Sequence, residues 1–295
     1  MSQATSARRA IPGAIRWIVL LGFAVYCLIP LLWLLFAPSK SDAQLVNDAP
    51  LSFGSLGQFW TSWQNLSGYG GGVIADWAWN SLYYSGGALL ITLVTSLLAG
   101  YALALNRIPF RRSLLILTLT GMMIPPTALV LPVFLEINAL QLTNTAFSVI
   151  LPASFYPFGV YLAYIYFSTS VPKDLLEAAR LDGCGEVRLF WHLGLPLAKP
   201  LIGLLAFFSF VANWNNYFLP YVMLSDESKY NLPVGLGALI SGTPALNPSS
   251  GGSLLSITRP EVALAGLIVI VPIAIIFLFC QRFLVKGILD GSVKG

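Results

Sequence analysis

The sequence predicts an all-α membrane protein with six membrane-spanning helices. Of its 295 residues, 57% are hydrophobic and only 9% are charged, whereas soluble domains carry roughly 25% charged residues. A soluble core cannot bury that much apolar surface. Windows of about 19 residues identify six apolar segments long enough to cross a hydrocarbon layer of about 30 Å. The predicted spans cover residues 15–37, 80–105, 113–137, 147–167, 199–224 and 262–282.

The first apolar segment follows three arginines and therefore resembles a signal peptide at first sight. Residues 15–37 exceed the roughly 7–15 residues of a signal-peptide core, and no small-x-small cleavage site follows them. We therefore predict a membrane span.

The third span is rich in helix-breaking residues, namely Gly121, Pro125, Pro126 and Pro132. Each proline removes a backbone donor, so some preceding carbonyl groups need other partners. The sequence therefore predicts a kink, which either lines or gates a polar pathway through the membrane or only adjusts helix packing.

The distribution of basic residues predicts the orientation of the spans. Thirteen of the 16 Lys and Arg residues lie in segments that would share the side of the N-terminus. The other three are Lys40, Lys229 and Arg259. Because basic residues stay on the cytoplasmic side, both termini are predicted to be cytoplasmic, including a tail at 283–295. We expect one transmembrane domain over residues 1–295.

The longest predicted cytoplasmic loop, residues 168–198, has the pattern helix, tight turn, helix. Pro172 suits a first helical turn, and Asp182-Gly183 ends the helix because glycine tolerates positive φ. The helix is too short to be stable alone and lacks the large aromatic residues of a lipid-binding face. We expect it to enter a protein cleft; the alternative is an interfacial helix. Its predicted apolar face consists of Leu175, Leu176, Ala178 and Ala179.

This loop resembles the EAA loop of ABC-importer permease subunits. The resemblance rests on Glu177-Ala178-Ala179, on Gly183 and on the closing Leu193-Gly-Leu-Pro196, and the form Glu-Ala-Ala-x-x-Asp-Gly is similar to the carbohydrate, maltose-type branch. It extends over nearly the whole chain, including the ending Gly-Ser-Val-Lys-Gly. The resemblance implies a type I importer permease fold in a prokaryotic cell membrane, and translocation of a sugar or oligosaccharide.

The resemblance also implies partners and contact residues. The partners are a second, different permease, two nucleotide-binding ATPase subunits and an extracytoplasmic solute-binding protein. In the family the loop forms a coupling helix held in a cleft of an ATPase subunit. The implied coupling residues are Glu177, Ala178, Ala179, Leu181, Asp182, Gly183, Leu195 and Pro196, and a possible ATPase contact in the tail comprises Ser292, Val293 and Lys294.

The chain itself is predicted to bind no cofactor, metal or nucleic acid. It contains no Gly-x-x-x-x-Gly-Lys-Ser/Thr loop, so ATP and Mg²⁺ belong on the partner subunits and the chain is not expected to be an enzyme. Its basic residues are scattered singly, which does not suit a nucleic-acid surface. His192 and Cys184 alone make no credible metal site.

Polar residues in the fifth span form a candidate substrate pathway: Asn213, Trp214, Asn216 and Tyr217. In a regular helix Asn213, Asn216 and Tyr217 would share one face. Amides suit sugar hydroxyls, and an aromatic ring covers the apolar C–H face of a sugar. The alternative is that the amides form hydrogen bonds between helices.

The sequence leaves three other functions open. An ABC permease could carry a small solute other than a sugar. An ion-coupled secondary carrier usually has buried ionisable residues near the membrane midplane, and the predicted spans have almost none. A membrane scaffold that transports nothing would not require the hairpin from Glu177-Ala-Ala to Gly183.

Overall fold

The computed structural model describes residues 13–247 and 257–292, without the side chains of Lys173 and of residues 282–292. All regular structure in these residues is helical. The first eight α-helices are α1 Gly13–Phe36, α2 Asp42–Asn47, α3 Leu56–Gly68, α4 Val73–Leu105, α5 Arg111–Met123, α6 Pro126–Ala139, α7 Ala146–Ala153 and α8 Pro157–Ser170. The others are α9 Lys173–Leu181, α10 Glu186–Leu189, α11 Leu195–Leu197, α12 Lys199–Trp214, α13 Phe218–Met223, α14 Leu232–Gly242 and α15 Arg259–Ser292.

The chain divides into two compact units. Among the described residues, the first unit combines 13–66 with 241–247 and 257–267, and the second combines 67–240 with 268–292. The prediction of a single transmembrane domain stays a prediction.

The first unit contains a tightly folded segment after α1. Lys40 is buried, and its Nζ donates hydrogen bonds to the carbonyl oxygens of Ala49 at 2.6 Å and Pro50 at 3.4 Å. Gly54 approaches the same segment so closely that a Cβ atom there would lie 2.0 Å from the Ser39 carbonyl oxygen. The two carbonyl groups solvate the buried ammonium group, which compensates part of its lost hydration.

The beginning of α15 is fixed to the rest of the first unit by a buried carboxylate. Glu261 is 2% exposed and accepts hydrogen bonds from Asn65 Nδ2 at 3.0 Å and from the Thr258 backbone N–H at 2.9 Å. Beside it, Arg259 forms an ion pair with Asp42 at 3.3 Å. These contacts join α2, α3 and α15.

The second unit is built around α4, which packs against α8 and α12. Gly100 permits the close approach of α8, since a Cβ atom at this position would lie 2.3 Å from Ala163 Cβ and 2.8 Å from the Ala163 carbonyl carbon. Next to this crossing, the rings of Tyr101 and Phe167 meet edge to face with their centroids 5.4 Å apart. Small residues therefore let these helices pack backbone to backbone, as in many membrane bundles.

Four segments are long and apolar enough to cross a membrane, and up to six are if each of two bent helix pairs counts as one span. The four are Gly13–Ser39, Val73–Leu105, Ala146–Ser170 and Arg259–Gln281. The predicted kink in the third span is confirmed: α5 and α6 meet at an angle of 103°. The break falls at Ile124-Pro125, where proline removes donors from the helix.

The predicted fifth span, 199–224, is not one regular helix. The helix α12 ends at Trp214, and α13 begins at Phe218. Pro220 has no N–H to bond the carbonyl oxygen of Asn216 four residues earlier, and Asn231 Nδ2 bonds that oxygen instead, at 2.8 Å. The expectation that Asn213, Asn216 and Tyr217 share one helical face is therefore wrong, because the helix ends before Asn216.

Hydrogen bonds of the Asn144 side chain join the segment between α6 and α7 to the segment after α13. Asn144 Oδ1 accepts the backbone N–H groups of Ser225 and Asp226, and its Nδ2 donates to the Asp226 carboxylate at 2.9 Å. Lys229 Nζ lies 2.7 Å from that carboxylate. Hydrogen bonds from Lys229 and Asn144 hold the pKa of Asp226 below its usual value. This contribution to stability is present at neutral pH and is lost as pH falls through the lowered pKa.

We expect the left-handed backbone conformation of Asn144 to determine which substitution at this position destabilises the protein more. Asn144 has φ +57°, so Asn144→Gly removes only the side-chain bonds, whereas Asn144→Ala adds a left-handed strain of about 1–2 kcal/mol. The melting temperature of the detergent-solubilised protein should fall by a few degrees for glycine and further for alanine. An alanine variant at least as stable as the glycine variant would contradict the left-handed backbone conformation at Asn144.

Candidate functional site

The helix, turn, helix predicted for the cytoplasmic loop is present as α9, a glycine turn and α10. Gly183 has φ +82°. Its backbone N–H bonds the Arg180 carbonyl at 3.0 Å, and the Cys184 N–H bonds the Ala179 carbonyl at 3.0 Å. This pair of bonds is a Schellman motif, which requires a left-handed residue and so favours glycine.

The face of α9 predicted to be apolar is divided between two environments. Leu176 is 1% exposed and Ala179 is partly buried, whereas Leu175 and Ala178 are exposed. A helix of 3.6 residues per turn places positions 176, 179 and 180 on one side, and that side packs against the rest of the unit. The outward side instead presents Glu177, Ala178, Leu181, Asp182 and Gly183. Leu181 is the most open of the large apolar residues there, at 89% exposure.

Arg180 stabilises the hairpin through hydrogen bonds, a role that the sequence analysis did not predict. Its Nε and a terminal nitrogen bond the two carboxylate oxygens of Glu186 at 2.8 and 3.3 Å, and the guanidinium also donates to the Leu105 carbonyl at 3.4 Å. The hydrogen bonds to Glu186 raise the pKa of Arg180. One cation thus ties both arms of the hairpin to the C-terminal end of α4, where helix carbonyls carry partial negative charge.

The second arm is anchored by buried aromatic packing. A π-helical turn, Phe190–Gly194, follows α10, and the Phe190 ring meets the Tyr101 ring with centroids 5.2 Å apart. A Cβ atom at Gly194 would lie 2.9 Å from Cε2 of Tyr101. The glycine of the closing Leu-Gly-Leu-Pro sequence is therefore needed for close packing.

The chain changes direction just after Pro196, not at it. Residues Glu186–Leu197 and Lys199–Trp214 are bent by 77°, with the break at Ala198. Pro200 lacks the N–H that would bond the Pro196 carbonyl. The missing donor at Pro200 therefore explains the bend. Leu195 is partly buried and Pro196 is exposed.

A charged cavity lies beside the hairpin. Its volume is about 700 Å³, and Glu177 is part of its lining. Its other charged lining residues are Arg107, Arg111, Arg180 and Glu186. Arg111 is held by Tyr164, since its guanidinium carbon lies 5.2 Å from the ring centroid.

The tail residues proposed as an ATPase contact lie mostly beyond what the structure describes. Ser292 ends α15, with no description of its side chain, and Val293 and Lys294 lie outside the described residues.

The four candidate pathway residues occupy different environments. Trp214 is 3% exposed, and its Nε1 donates to the Val269 carbonyl at 2.9 Å, so its position is that of a packing residue. Asn213 Nδ2 donates to Ser209 Oγ at 3.3 Å. Asn216 is half-buried and Tyr217 is 41% exposed. Only the last two combine open surface with side-chain polar groups that have no partner among the described residues.

Comparison with known proteins decides the family. Residues 92–290 match the model of the family described as "Binding-protein-dependent transport system inner membrane component". The chain belongs to this family. The match covers α9 and its glycine turn, which are the residues that carried the resemblance to ABC-importer permeases.

This inner membrane component is similar over its whole length to curated transport proteins. The arabinooligosaccharides transport system permease protein AraQ of Halalkalibacterium halodurans is 33% identical over 98% of this chain and 100% of that protein. The melibiose/raffinose/stachyose import permease protein MelC of Bacillus subtilis is 27% identical over 98% and 100%.

A solved structure supports the same fold. A chain of a bacterial ABC transporter involved in the import of the acidic polysaccharide alginate superimposes with a TM-score of 0.77 at 25% identity, covering 92% of this chain and 95% of that one. The fold of this inner membrane component is therefore that of an ABC importer permease.

Proposed function

We propose that this chain is a permease subunit of an ATP-driven ABC importer that translocates a sugar or oligosaccharide delivered by an extracytoplasmic solute-binding protein. Family membership and the named transport roles of similar permeases support the proposal. The proposed arrangement has six spans, both termini in the cytoplasm, and a different permease as the second membrane subunit. ATP and Mg²⁺ are bound by two separate ATPase subunits.

The mechanical part of the proposal depends on the hairpin of α9 and α10, which Arg180 stabilises. ATP closes paired nucleotide-binding subunits by bridging phosphates and Mg²⁺. A coupling helix held in the cleft of such a subunit transmits this closure as a rigid-body movement only if the helix itself does not deform. The Schellman turn at Gly183 and the bonds from Arg180 to Glu186 and Leu105 supply that stiffness. The outward residues Glu177 to Gly183 are then the proposed contact surface for the ATPase.

Reconstitution of the whole transporter tests the proposed function. Proteoliposomes with both permeases, the ATPase subunits and the solute-binding protein should accumulate labelled arabinotriose or raffinose, and uptake should require both ATP and the binding protein. Uptake of a solute other than a sugar, with no uptake of any sugar that the binding protein binds, would contradict the sugar proposal. A complex that retained full uptake without its ATPase subunits would contradict ATP-driven import.

Chemical labelling tests the orientation of the hairpin. The three native cysteines, Cys27, Cys184 and Cys280, are first replaced by alanine. An Asp182→Cys variant should then react with a membrane-impermeant maleimide in inside-out vesicles and stay unlabelled in intact cells. The reverse pattern would place the hairpin outside and remove the coupling role.

The amides near the end of α12 give a prediction about the pathway. If Asn213 and Asn216 bond sugar hydroxyls, the double change Asn213→Leu with Asn216→Leu should lower uptake several-fold without loss of subunit co-purification, because apolar side chains leave those hydroxyls unpaired. A matched control is Asn80→Leu, since Asn80 bonds the Ser228 and Tyr230 carbonyls within the unit. Unchanged uptake kinetics in the double variant would remove both amides from the pathway.

A further inference from the structure

Two tyrosines at the beginning of α13 form a stacked pair with one open side. The rings of Tyr217 and Tyr221 are nearly parallel, at 12°, with centroids 5.4 Å apart. Gly237 supports Tyr217, since a Cβ atom there would lie 2.7 Å from Cε2 of its ring. Tyr221 is the more open of the two, at 55% exposure against 41%. The pair is therefore a fixed aromatic surface with Tyr221 outermost.

The polar groups around this surface lack protein partners in the described part of the chain. Neither tyrosine hydroxyl, nor the side chain of Asn216, forms a hydrogen bond to another described residue. Groups of this kind are costly in hydrocarbon and are placed toward water or a polar partner. The stacked pair thus presents an aromatic ring and two hydroxyls that no described residue bonds, and the half-buried Asn216 amide lies next to Tyr217 in the sequence.

The segment that carries this surface has no ionisable side chain other than its tyrosines. From Pro200 to Leu224 the sequence contains no Asp, Glu, Lys, Arg or His. Recognition of a carboxylate or phosphate normally uses Arg or Lys. The segment itself therefore supplies no cation that would pair with an anionic solute.

We infer that Tyr221, supported by Tyr217, is a stacking platform for an uncharged oligosaccharide in the transport pathway. The C–H face of a sugar ring lies on the ring of Tyr221, and the tyrosine hydroxyls and the neighbouring Asn216 amide bond hydroxyl groups at the edge of the sugar. The inference rests on the proposed sugar-import function and adds a residue, Tyr221, and a selectivity for neutral sugars.

The test uses the reconstituted complete transporter with three probes of similar size: arabinotriose, raffinose and an acidic alginate trisaccharide. The wild type should accumulate a neutral probe and exclude the acidic one. Tyr221→Leu should lower uptake of the neutral probe by about five- to tenfold, the range that aromatic contacts supply. Tyr221→Phe keeps the ring and should retain most uptake. ATP hydrolysis without sugar should be equal in all three proteins.

Controls separate a contact with sugar from a structural role. Tyr26 is also exposed, at 75%, on the first helix, and Tyr26→Leu should leave uptake unchanged. If Tyr221→Leu does not co-purify with its partners, Tyr221→Met serves as the ring-free variant. Uptake by the ring-free variant within twofold of wild type, or preference of the wild type for the acidic probe, would overturn the inference while the import function stands. A wild type that accumulates no sugar bound by its solute-binding protein contradicts the proposed function itself.

Discussion

Gly183→Val is expected to abolish uptake by the assembled transporter while the chain still inserts in the membrane. At φ +82° a residue with a side chain costs about 1–2 kcal/mol or more, and a β-branched residue is disfavoured most. The position is otherwise open, since a Cβ atom there would meet nothing within 4 Å. Relief of the strain would break the two Schellman hydrogen bonds. It would also change the orientation of α9 relative to the ATPase subunit that it is proposed to contact. Co-purification of the ATPase and uptake in proteoliposomes measure the two effects.

Two further substitutions distinguish a specific effect at the Gly183 turn from a general disruption of the loop. Gly183→Asn should retain most activity, because asparagine tolerates the left-handed region. Gly185→Ala is the matched control, since Gly185 has φ −73° and equally open surroundings.

Glu177→Lys should also abolish uptake and weaken ATPase recruitment, because it reverses the charge at an exposed position of the proposed contact surface. Normal co-purification and full uptake in both Gly183→Val and Glu177→Lys would refute the coupling assignment.

Gly100→Val is expected to prevent accumulation of folded protein. Its Cβ would lie 2.3 Å from Ala163 Cβ and within 2.8 Å of backbone atoms of Ala163 and Tyr164. Backbone cannot yield as a side chain can, so α4 and α8 would have to separate, at a cost above about 3 kcal/mol. The yield of monodisperse protein after detergent extraction measures the loss.

A glycine on the same helix provides the control for this change. Gly86 has no atom within 4 Å of an added Cβ, so Gly86→Val should be extracted in nearly normal yield. Normal yield of Gly100→Val would show that the packing of α4 against α8 is looser than described.

Features that depend on neighbours in sequence were predicted correctly. The kink of the third span follows from prolines that remove local donors, and the turn at Gly183 follows from a residue that alone adopts positive φ at low cost. A missing donor at Pro220 also predicts the break after Trp214, whereas the spacing of the polar residues alone suggests one regular helical face. The missing donor at Pro220 was the available signal.

Features that depend on distant residues could not be predicted from the pattern. Nothing near Arg180 in sequence indicates the Leu105 carbonyl, which lies 75 positions away, and nothing near Trp214 indicates the Val269 carbonyl. Tyr221 was missed for a related reason. Its importance comes from stacking on Tyr217 and from the support of Gly237 on another helix.

The sequence alone determined that the chain is an apolar, helical membrane protein with a glycine-turned hairpin, because hydropathy, proline and glycine act within a few residues of their own position. The tertiary structure decided which side of the hairpin faces outward, which polar groups are used in packing and which stay open to a ligand. These properties depend on the close approach of separate helices, as at Gly100 and Ala163, which only the folded chain brings together.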